Sequence, residues 1–130
     1  MVVKFKGSFA NDTRSFDSDV PVYRLAEAYL LKAEVENALG NTDAALQNLN
    51  VVAKRAYGVD NYYTARTQDA IDNAIISEIL KEFVAESKAW WAYLRFNKEF
   101  ELIETLKGRE GRRMLPCGLL LLLVSILIRI

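Results

Sequence analysis

Three glutamates spaced four residues apart are the strongest candidates for chemistry in this chain. Glu78, Glu82 and Glu86, here called the glutamate row, would lie on one face of a helix. Paired carboxylates can act as general acid and base in glycoside hydrolysis, or they can bind a metal ion. Nothing else in the sequence supplies the other groups of such a site, so we interpret the row as structural. The row would then form either a solvated helix edge or ion pairs with the nearby basic residues Lys81, Lys88 and Arg95.

Aromatic residues form a second group with two readings. Four of them fall within seven positions: Trp90, Trp91, Tyr93 and Phe96. They could stack on sugar rings, or they could form the core of a last helix. We favour the core, because large aromatic side chains usually anchor packing. Tyr62 and Tyr63 lie in a connector, where we expect them to be exposed.

Composition excludes several kinds of site. The chain of 130 residues has no histidine and one cysteine, Cys117, which removes internal disulfides, the usual zinc ligand sets and imidazole-based triads. Lys plus Arg and Asp plus Glu both number 17, so no charge footprint for nucleic acid appears. We therefore assign no catalytic residue, no metal ligand and no cofactor. Residues 1–4 lead into polar sequence, which does not indicate a signal peptide.

The region from Pro21 to Gly58 predicts two helices folded back on each other, an αα-hairpin. The first helix is expected from Pro21, which suits a first turn, to the stop signal at Gly40-Asn41. It carries two neighbouring apolar faces, one formed by Val22, Ala26, Tyr29 and Ala33, the other by Leu25, Ala28, Leu31, Val35 and Leu39. So wide an apolar arc predicts a helix covered from more than one side.

The second helix of the hairpin should begin after Thr42 as N-cap and end at Gly58. Ala33 and Ala45 are small and would let the two backbones approach closely. The inward stripe of this helix is expected to be Ala45, Leu49, Val52 and Ala56.

A third helix is expected to start at Thr67 or Asp69, followed by a break near Glu86-Ser87 and a fourth, aromatic-rich helix. The segment from Glu99 to Leu106 is expected to continue helical. The inward residues of the third helix are Ile71, Ile75, Ile76, Ile79, Leu80 and Phe83. Fold class is therefore all-α.

We divide the chain into three regions: an irregular N-terminal segment at 1–19, a helical region at 20–111 and an apolar tail at 112–130. Within the first, Val3 and Phe5 alternate with lysines as in a short strand, and Gly7 to Asp19 reads as a loop.

Three separated blocks resemble the C-terminal domain of the RagB/SusD family. They are Asp19–Glu34, Ala45–Gly58 and Glu78–Phe96. In the third block, the residues at family positions are Glu78, Glu82, Phe83, Glu86, Trp90, Trp91, Leu94 and Arg95. The same block departs from the family, which has arginines, a glycine and an aspartate where this chain has Ile79, Leu80, Ser87 and Ala92.

The resemblance implies a function. Members of the family are surface-exposed outer-membrane lipoproteins of Bacteroidota. They bind glycans or other nutrients without catalysis, and they act as a lid on a TonB-dependent transporter of the SusC type. Their scaffold is built from tetratricopeptide-like helix pairs, and Leu39–Leu46 is similar to the turn of one such unit.

We expect this chain to be a C-terminal fragment of such a protein. The chain is much shorter than that family's proteins, and the N-terminal lipid anchor and most of the ligand-binding body are not in it. The ligand-binding residues therefore stay unknown, and the outer-membrane location is implied only by the family.

The tail from Leu115 to Ile130 is almost wholly apolar, yet shorter than the roughly 20 residues of a spanning helix. Reading each codon from the last base of the preceding one allows Leu-Trp-Pro from Pro116–Leu119 and Ser-Ile-Asn-Leu-Asn-Pro-Asn from Leu123–Ile130. Both resemble the ending of the family. We expect a single-base shift between roughly Lys107 and Arg113. The alternative is a genuine apolar tail that packs on the helices or anchors the chain in a membrane.

Two other functions stay open at this point. The chain could be a free-standing tetratricopeptide-like module that binds a peptide, or a tail-anchored helical membrane protein. An enzyme is the weakest hypothesis, since histidine is missing and no group of residues forms a convergent site.

Overall fold

The computed structural model describes residues 7–15, 19 and 22–108. The chain divides into two compact units, residues 1–96 and 97–130. The first unit contains strands β1 (Ser8–Ala10) and β2 (Thr13–Ser15) and helices α1 (Leu25–Ala38), α2 (Thr42–Tyr57), α3 (Gln68–Glu82) and α4 (Ala89–Arg95). The second contains the short helix α5 (Glu99–Leu102) and a 3₁₀ turn at Glu104–Leu106. The mostly helical fold confirms the predicted class.

Helices α1 and α2 form the predicted αα-hairpin. Gly40 lies in the turn between them with φ of 83°, a conformation that glycine adopts without strain. Gly58 closes α2 in the left-handed conformation, and its N–H donates to the Lys54 carbonyl at 2.8 Å. Asn41, rather than the predicted Thr42, is the N-cap of α2. The hairpin and its end at Gly58 are therefore confirmed, and the N-cap was wrong by one residue.

The first helix begins later than its sequence pattern indicates. Pro21 lies outside the described residues, and Val22 and Tyr23 are exposed ahead of the helix. Arg24 is extended, with φ of −131° and ψ of 155°, and α1 starts at Leu25. The expected start at Pro21 was therefore wrong, since the extended backbone at Arg24 interrupts a helix that would begin there.

The core lies between α1, α2 and α3, with one residue from α4. Ala33 and Ala45 are completely buried, as close packing of the hairpin requires. The α2 stripe is confirmed except that Ala53 is buried where Ala56 was expected. The buried cluster consists of Leu30, Ala33, Ala45, Leu49, Val52, Ile71, Ile75, Ile79, Phe83 and Ala92.

The third helix starts as predicted, but it ends at Glu82, so Glu86 lies in the turn beyond it and not on the helical face expected for the glutamate row. The Thr67 hydroxyl accepts a hydrogen bond from the Ala70 N–H at 3.3 Å and caps the helix. Its inward side is buried as expected, apart from Leu80, which is half-buried. After Glu82 the chain turns through Ala85 and Ser87, whose φ angles of 66° and 57° are left-handed. This turn is the predicted break before α4.

A small hairpin replaces part of the expected N-terminal loop. Strands β1 and β2 pair antiparallel, with Phe9 opposite Arg14. Asn11 and Asp12 connect them with φ of 51° and 57°, the backbone of a two-residue type I′ turn. The loop predicted over Gly7–Asp19 was therefore wrong at these strands, since the Asn-Asp pair is a hairpin signal.

Among the described residues, no helix is both long and apolar enough to cross a bilayer. The apolar tail at 112–130, the strand suggested at Val3 and Phe5, and Cys117 all lie outside the described residues.

Candidate functional site

Two members of the glutamate row bind one arginine. Arg24 Nη1 donates to Glu82 Oε1 at 2.7 Å. Its Nε and Nη2 donate to the two Glu86 oxygens at 2.9 and 3.0 Å, a bidentate pair. Nη2 also donates to the Glu82 carbonyl at 3.0 Å. One guanidinium therefore joins the start of α1 to the end of α3 and the turn beyond it.

Two further side chains complete this group. The Arg24 guanidinium lies 4.8 Å from the centre of the Phe83 ring, within cation–π range. Arg55 of α2 forms a second ion pair with Glu82. We call Arg24, Arg55, Glu82 and Glu86 the arginine cluster. Burial lowers the pKa of Arg24, but hydrogen bonds and charges from Glu86 and Glu82 outweigh it and raise that pKa. The guanidinium therefore stays charged.

The partners expected for the glutamate row were wrong. Lys88 pairs with Glu27 of α1 at 3.0 Å, and Arg95 pairs with Glu34 of the same helix at 2.8 Å. Lys81 Nζ lies 3.4 Å from the Tyr63 hydroxyl. Lys88 and Arg95 therefore tie α1 to α4 and its N-cap, and Lys81 ties α3 to the connector. The structural interpretation of the row agrees with the ion pairs of Glu82 and Glu86, although its partners come from elsewhere in the chain.

Glu78 is satisfied by a different kind of partner. Its side chain is 1% exposed, and its Oε2 accepts hydrogen bonds from the hydroxyls of Tyr57 at 3.0 Å and Tyr63 at 2.7 Å. Tyr62 stacks on Tyr57 with ring centres 4.4 Å apart and meets Tyr63 edge-on at 5.0 Å. We call Tyr57, Tyr62, Tyr63 and Glu78 the tyrosine cluster.

Asn50 of α2 positions Tyr63 in this cluster. Its side-chain oxygen accepts from the Tyr63 N–H at 2.8 Å, and its Nδ2 donates to the Tyr63 carbonyl at 2.9 Å. The backbone of the connector is therefore fixed at the residue whose hydroxyl reaches Glu78. Tyr62 is exposed as expected, whereas Tyr63 is half-buried.

The tyrosine hydroxyls stay protonated at ordinary pH. Burial and the hydrogen bond to Glu78 raise the pKa of Tyr57 to about 12. The same two causes raise the pKa of Tyr63. Both hydroxyls therefore donate to the Glu78 side chain, and the arrangement gives a buried acidic group its hydrogen-bond partners.

The tryptophans of α4 are not core residues. Trp90 and Trp91 are about half exposed, and Ala92 is the residue of α4 that lies in the core cluster. Tyr93 is half-buried, and Phe96 packs against the core. A helix of seven residues presents one narrow side to the core, and here that side carries the alanine. The expected core position was therefore wrong for both tryptophans.

Arg24 was not predicted as a site residue, although the sequence contained an indication of its role. Arg24 belongs to the first block that resembles the RagB/SusD family, and Glu82 and Glu86 belong to the third. The structure brings these positions of two separate blocks into one ion-paired group. Within the described residues, no group of three or more His, Cys, Asp or Glu side chains is arranged to hold a metal ion.

Comparison with known proteins identifies the family of the chain. A sequence model of the SusD family matches residues 2–112. The SusD-like protein P38 of Formosa agariphila is 26% identical over 106 residues, which cover 76% of this chain and 21% of the relative. No solved structure matches. The chain belongs to the SusD family, and it spans 21% of the length of the curated relative that it matches.

Proposed function

We propose that this chain is the C-terminal part of a non-catalytic glycan- or nutrient-binding protein of a SusC/SusD-type outer-membrane uptake system. The observation that carries the proposal is the family match over residues 2–112. The low coverage of P38, 21% of its length, supports the view that most of the binding body lies outside these residues. The partners are then a SusC-like TonB-dependent transporter and an oligosaccharide or other nutrient. In this proposal the protein is anchored to the outer membrane by an N-terminal lipid, as the family resemblance implies.

The contacts of the glutamate row support a role without catalysis. Glu82 and Glu86 bind the Arg24 guanidinium, and Glu78 accepts from two tyrosine hydroxyls. A general acid or base needs a carboxyl group that can reach substrate and exchange a proton with it. All three carboxylates are instead engaged inside the fold.

The experiment is to tag the gene in its native host, extract the membranes with detergent and purify the product. We expect a product longer than 130 residues that co-purifies with a TonB-dependent transporter, identified by mass spectrometry, and that binds oligosaccharides on a glycan array. A product of 130 residues with neither partner would contradict the proposal. That result would favour the free-standing tetratricopeptide-like module.

We also infer that the tail at 112–130 is translated from a shifted reading frame. The family match ends at residue 112, just before the apolar sequence that begins at Leu115. Sequencing the DNA of the locus tests this inference. We expect a corrected frame that encodes Leu-Trp-Pro and Asn-Pro-Asn in place of the leucine run. Recovery of tail peptides from Leu115–Ile130 by mass spectrometry of the native protein would contradict it.

A further inference from the structure

The tyrosine cluster has an exposed side that the hydrogen bonds to Glu78 do not explain. Tyr57 and Tyr62 are 36% and 47% exposed, although their rings stack with centres 4.4 Å apart. The Tyr57 hydroxyl donates to Glu78, whereas the Tyr62 hydroxyl makes no hydrogen bond to a described residue. One ring of the cluster therefore lies at the surface without a part in the buried hydrogen bonds.

The Tyr62 ring is held rigidly in this exposed position. Asn50, which is 8% exposed, binds both the N–H and the carbonyl of Tyr63, the next residue in the chain. Asn61, on the other side, has a left-handed backbone with φ of 51°. The ring itself packs on Tyr57 and meets Tyr63 edge-on. A fixed aromatic ring loses little conformational entropy when a ligand stacks on it.

Charged side chains border the exposed rings. Lys54 lies three residues before Tyr57 on the same side of α2, and its ammonium pairs with Asp60 of the connector at 2.6 Å. Both groups of this pair are exposed, at 62% and 72%. From α3, Lys81 Nζ lies 5.7 Å from the centre of the Tyr57 ring and 5.9 Å from that of Tyr63. Hydrogen-bonding groups from three parts of the fold therefore adjoin one aromatic surface.

Lys81 determines the charge of a ligand that suits this surface. Lys54 and Asp60 neutralise each other, whereas no carboxylate of a described residue lies within ion-pair distance of the Lys81 ammonium. Its contact with the Tyr63 hydroxyl is long, 3.4 Å. An anionic group on a ligand would give this exposed ammonium a charge-assisted hydrogen bond.

An acidic sugar has both of the features that the surface would bind. The C–H groups on one face of a pyranose ring can pack on an aromatic ring, while the hydroxyls at its edge can bind charged side chains. We propose that the exposed side of the tyrosine cluster binds an acidic oligosaccharide, with one pyranose stacked on Tyr62 and a carboxylate or sulfate paired with Lys81. Since Lys81 and Tyr62 both lie next to the Tyr57 ring, one short oligosaccharide can contact both. This inference rests on the proposed glycan-binding function, and it adds a site and a class of glycan.

Calorimetric titration of the 130-residue chain with defined oligosaccharides tests the charge of the ligand. The probes are oligomers that contain galacturonic acid, glucuronic acid or sulfated galactose. Each is compared with its methyl-esterified or desulfated form, which keeps the sugar ring and removes the charge. We expect at least one acidic series to bind, and its uncharged form to bind about tenfold more weakly, because the ion pair to Lys81 is lost.

Two outcomes of the titration would overturn the inference: no binding by any acidic oligosaccharide, or equal binding by the charged and uncharged forms. The glycan array with the native product tests the proposed function separately. Glycan binding on that array, without binding of acidic sugars to this chain, would leave the proposed function standing and remove the site.

Substitutions at Tyr62 locate the site. Tyr62→Leu keeps an apolar side chain but has no aromatic face, so binding should weaken about tenfold, whereas Tyr62→Phe should bind as the wild type does. Trp91→Leu is the matched control, because Trp91 of α4 is similarly exposed, 50%, and lies outside the cluster. An undiminished affinity of Tyr62→Leu, or an equal loss in Trp91→Leu, would overturn the inference.

Lys81→Met tests the anionic contact without removing the aromatic surface. Lys81 is exposed, and the hydrogen bonds from Tyr57 and Tyr63 to Glu78 remain, so the variant should fold. We expect it to bind the charged and uncharged forms of a probe equally well. A preference for the charged form that survives Lys81→Met would show that another group binds the anion, and it would overturn the assignment to Lys81.

Discussion

The carboxyl groups at the two ends of the glutamate row have different kinds of hydrogen-bond donor. At one end, Glu82 and Glu86 bind the Arg24 guanidinium through charge-assisted hydrogen bonds. At the other end, Glu78 is almost fully buried and accepts two neutral hydroxyls, those of Tyr57 and Tyr63. Three equally spaced residues of one type therefore have different partners, which come from the start of α1, from α2 and from the connector between α2 and α3.

The two ends of the glutamate row also connect different parts of the fold. The arginine cluster connects α1 to the end of α3 across 58 and 62 positions of sequence. The tyrosine cluster fixes the connector between α2 and α3 over 15 to 21 positions. Removing Arg24 takes a charged partner from two largely buried carboxylates at once and leaves Arg55 on Glu82. Removing one tyrosine hydroxyl takes away a neutral donor and leaves another in place. The arginine end should therefore be the more sensitive to substitution.

The largest effect is expected for Arg24→Met. The substitution keeps much of the side-chain volume and leaves the Glu82 and Glu86 carboxylates without their shared cation. We expect the free energy of unfolding, measured with urea, to fall by about 3 kcal/mol. The control is Arg66→Met, because the Arg66 pair with Asp43 is long, 3.8 Å, and fully at the surface. It should change stability by less than about 0.5 kcal/mol. Equal effects of the two substitutions would show that the arginine cluster adds no stability.

A smaller effect is expected at the tyrosine end. Tyr63→Phe removes the 2.7 Å hydrogen bond to Glu78 and leaves the donor of Tyr57. We expect a loss of about 1.5 kcal/mol in the free energy of unfolding. The control is Tyr62→Phe, since the Tyr62 hydroxyl makes no hydrogen bond to a described residue although its ring packs in the same cluster. The hypothesis fails if Tyr62→Phe is as destabilising as Tyr63→Phe.

The two ends should also differ in their response to alkaline pH. The pKa of Tyr57 rises from an ordinary value of 10 to about 12, so its protonated form is favoured by folding. That contribution is complete below pH 10 and is lost as pH rises toward about 12. The stability difference between the wild type and Tyr57→Phe should therefore shrink above pH 10. The difference for Arg24→Met should stay constant over pH 8–11, because the pKa of Arg24 is raised as well. Parallel pH profiles for both variants would contradict this distinction, and unfolding followed by circular dichroism would measure it.

The smallest effect is expected in the turn that carries Glu86. Ser87 has φ of 57°, and the family resemblance places a glycine at this position. Ser87→Gly should raise the free energy of unfolding by about 0.5 to 1 kcal/mol, since glycine adopts this backbone without a Cβ clash. The same substitution at Ser77, inside α3, should lower it by a similar amount, because glycine weakens a helix interior. A destabilising Ser87→Gly would mean that the serine side chain stabilises the turn.

Local pattern was sufficient to predict most of the helical elements. The stop at Gly58, the cap at Thr67 and the break around Ser87 depend on residues whose backbone preferences are visible in the sequence. The inward stripes of α2 and α3 follow the helical period. These features were predictable because each is determined within a few neighbouring residues.

The remainder depends on contacts between distant residues. Arg24 meets Glu82 and Glu86 only after three helices have packed, so periodicity offers no sign of the pair or of the late start of α1. The exposure of Trp90 and Trp91 depends on which side of a short helix meets the core. The sequence held one clue to this contact. Arg24 and the two glutamates all lie in blocks that resemble the same family, so they belong to one shared fold.

The arginine cluster also has a consequence for the order of folding. The αα-hairpin closes through a short turn at Gly40-Asn41, whereas the bond from Arg24 to Glu86 closes a loop of 62 positions. The entropic cost of closure grows with loop length, so helix pairing should come first and the arginine contacts last. Contacts made after the transition state govern how fast a protein opens. The Arg24 contacts should therefore form after the folding transition state. Substitution of Arg24 should speed unfolding severalfold and leave the refolding rate nearly unchanged.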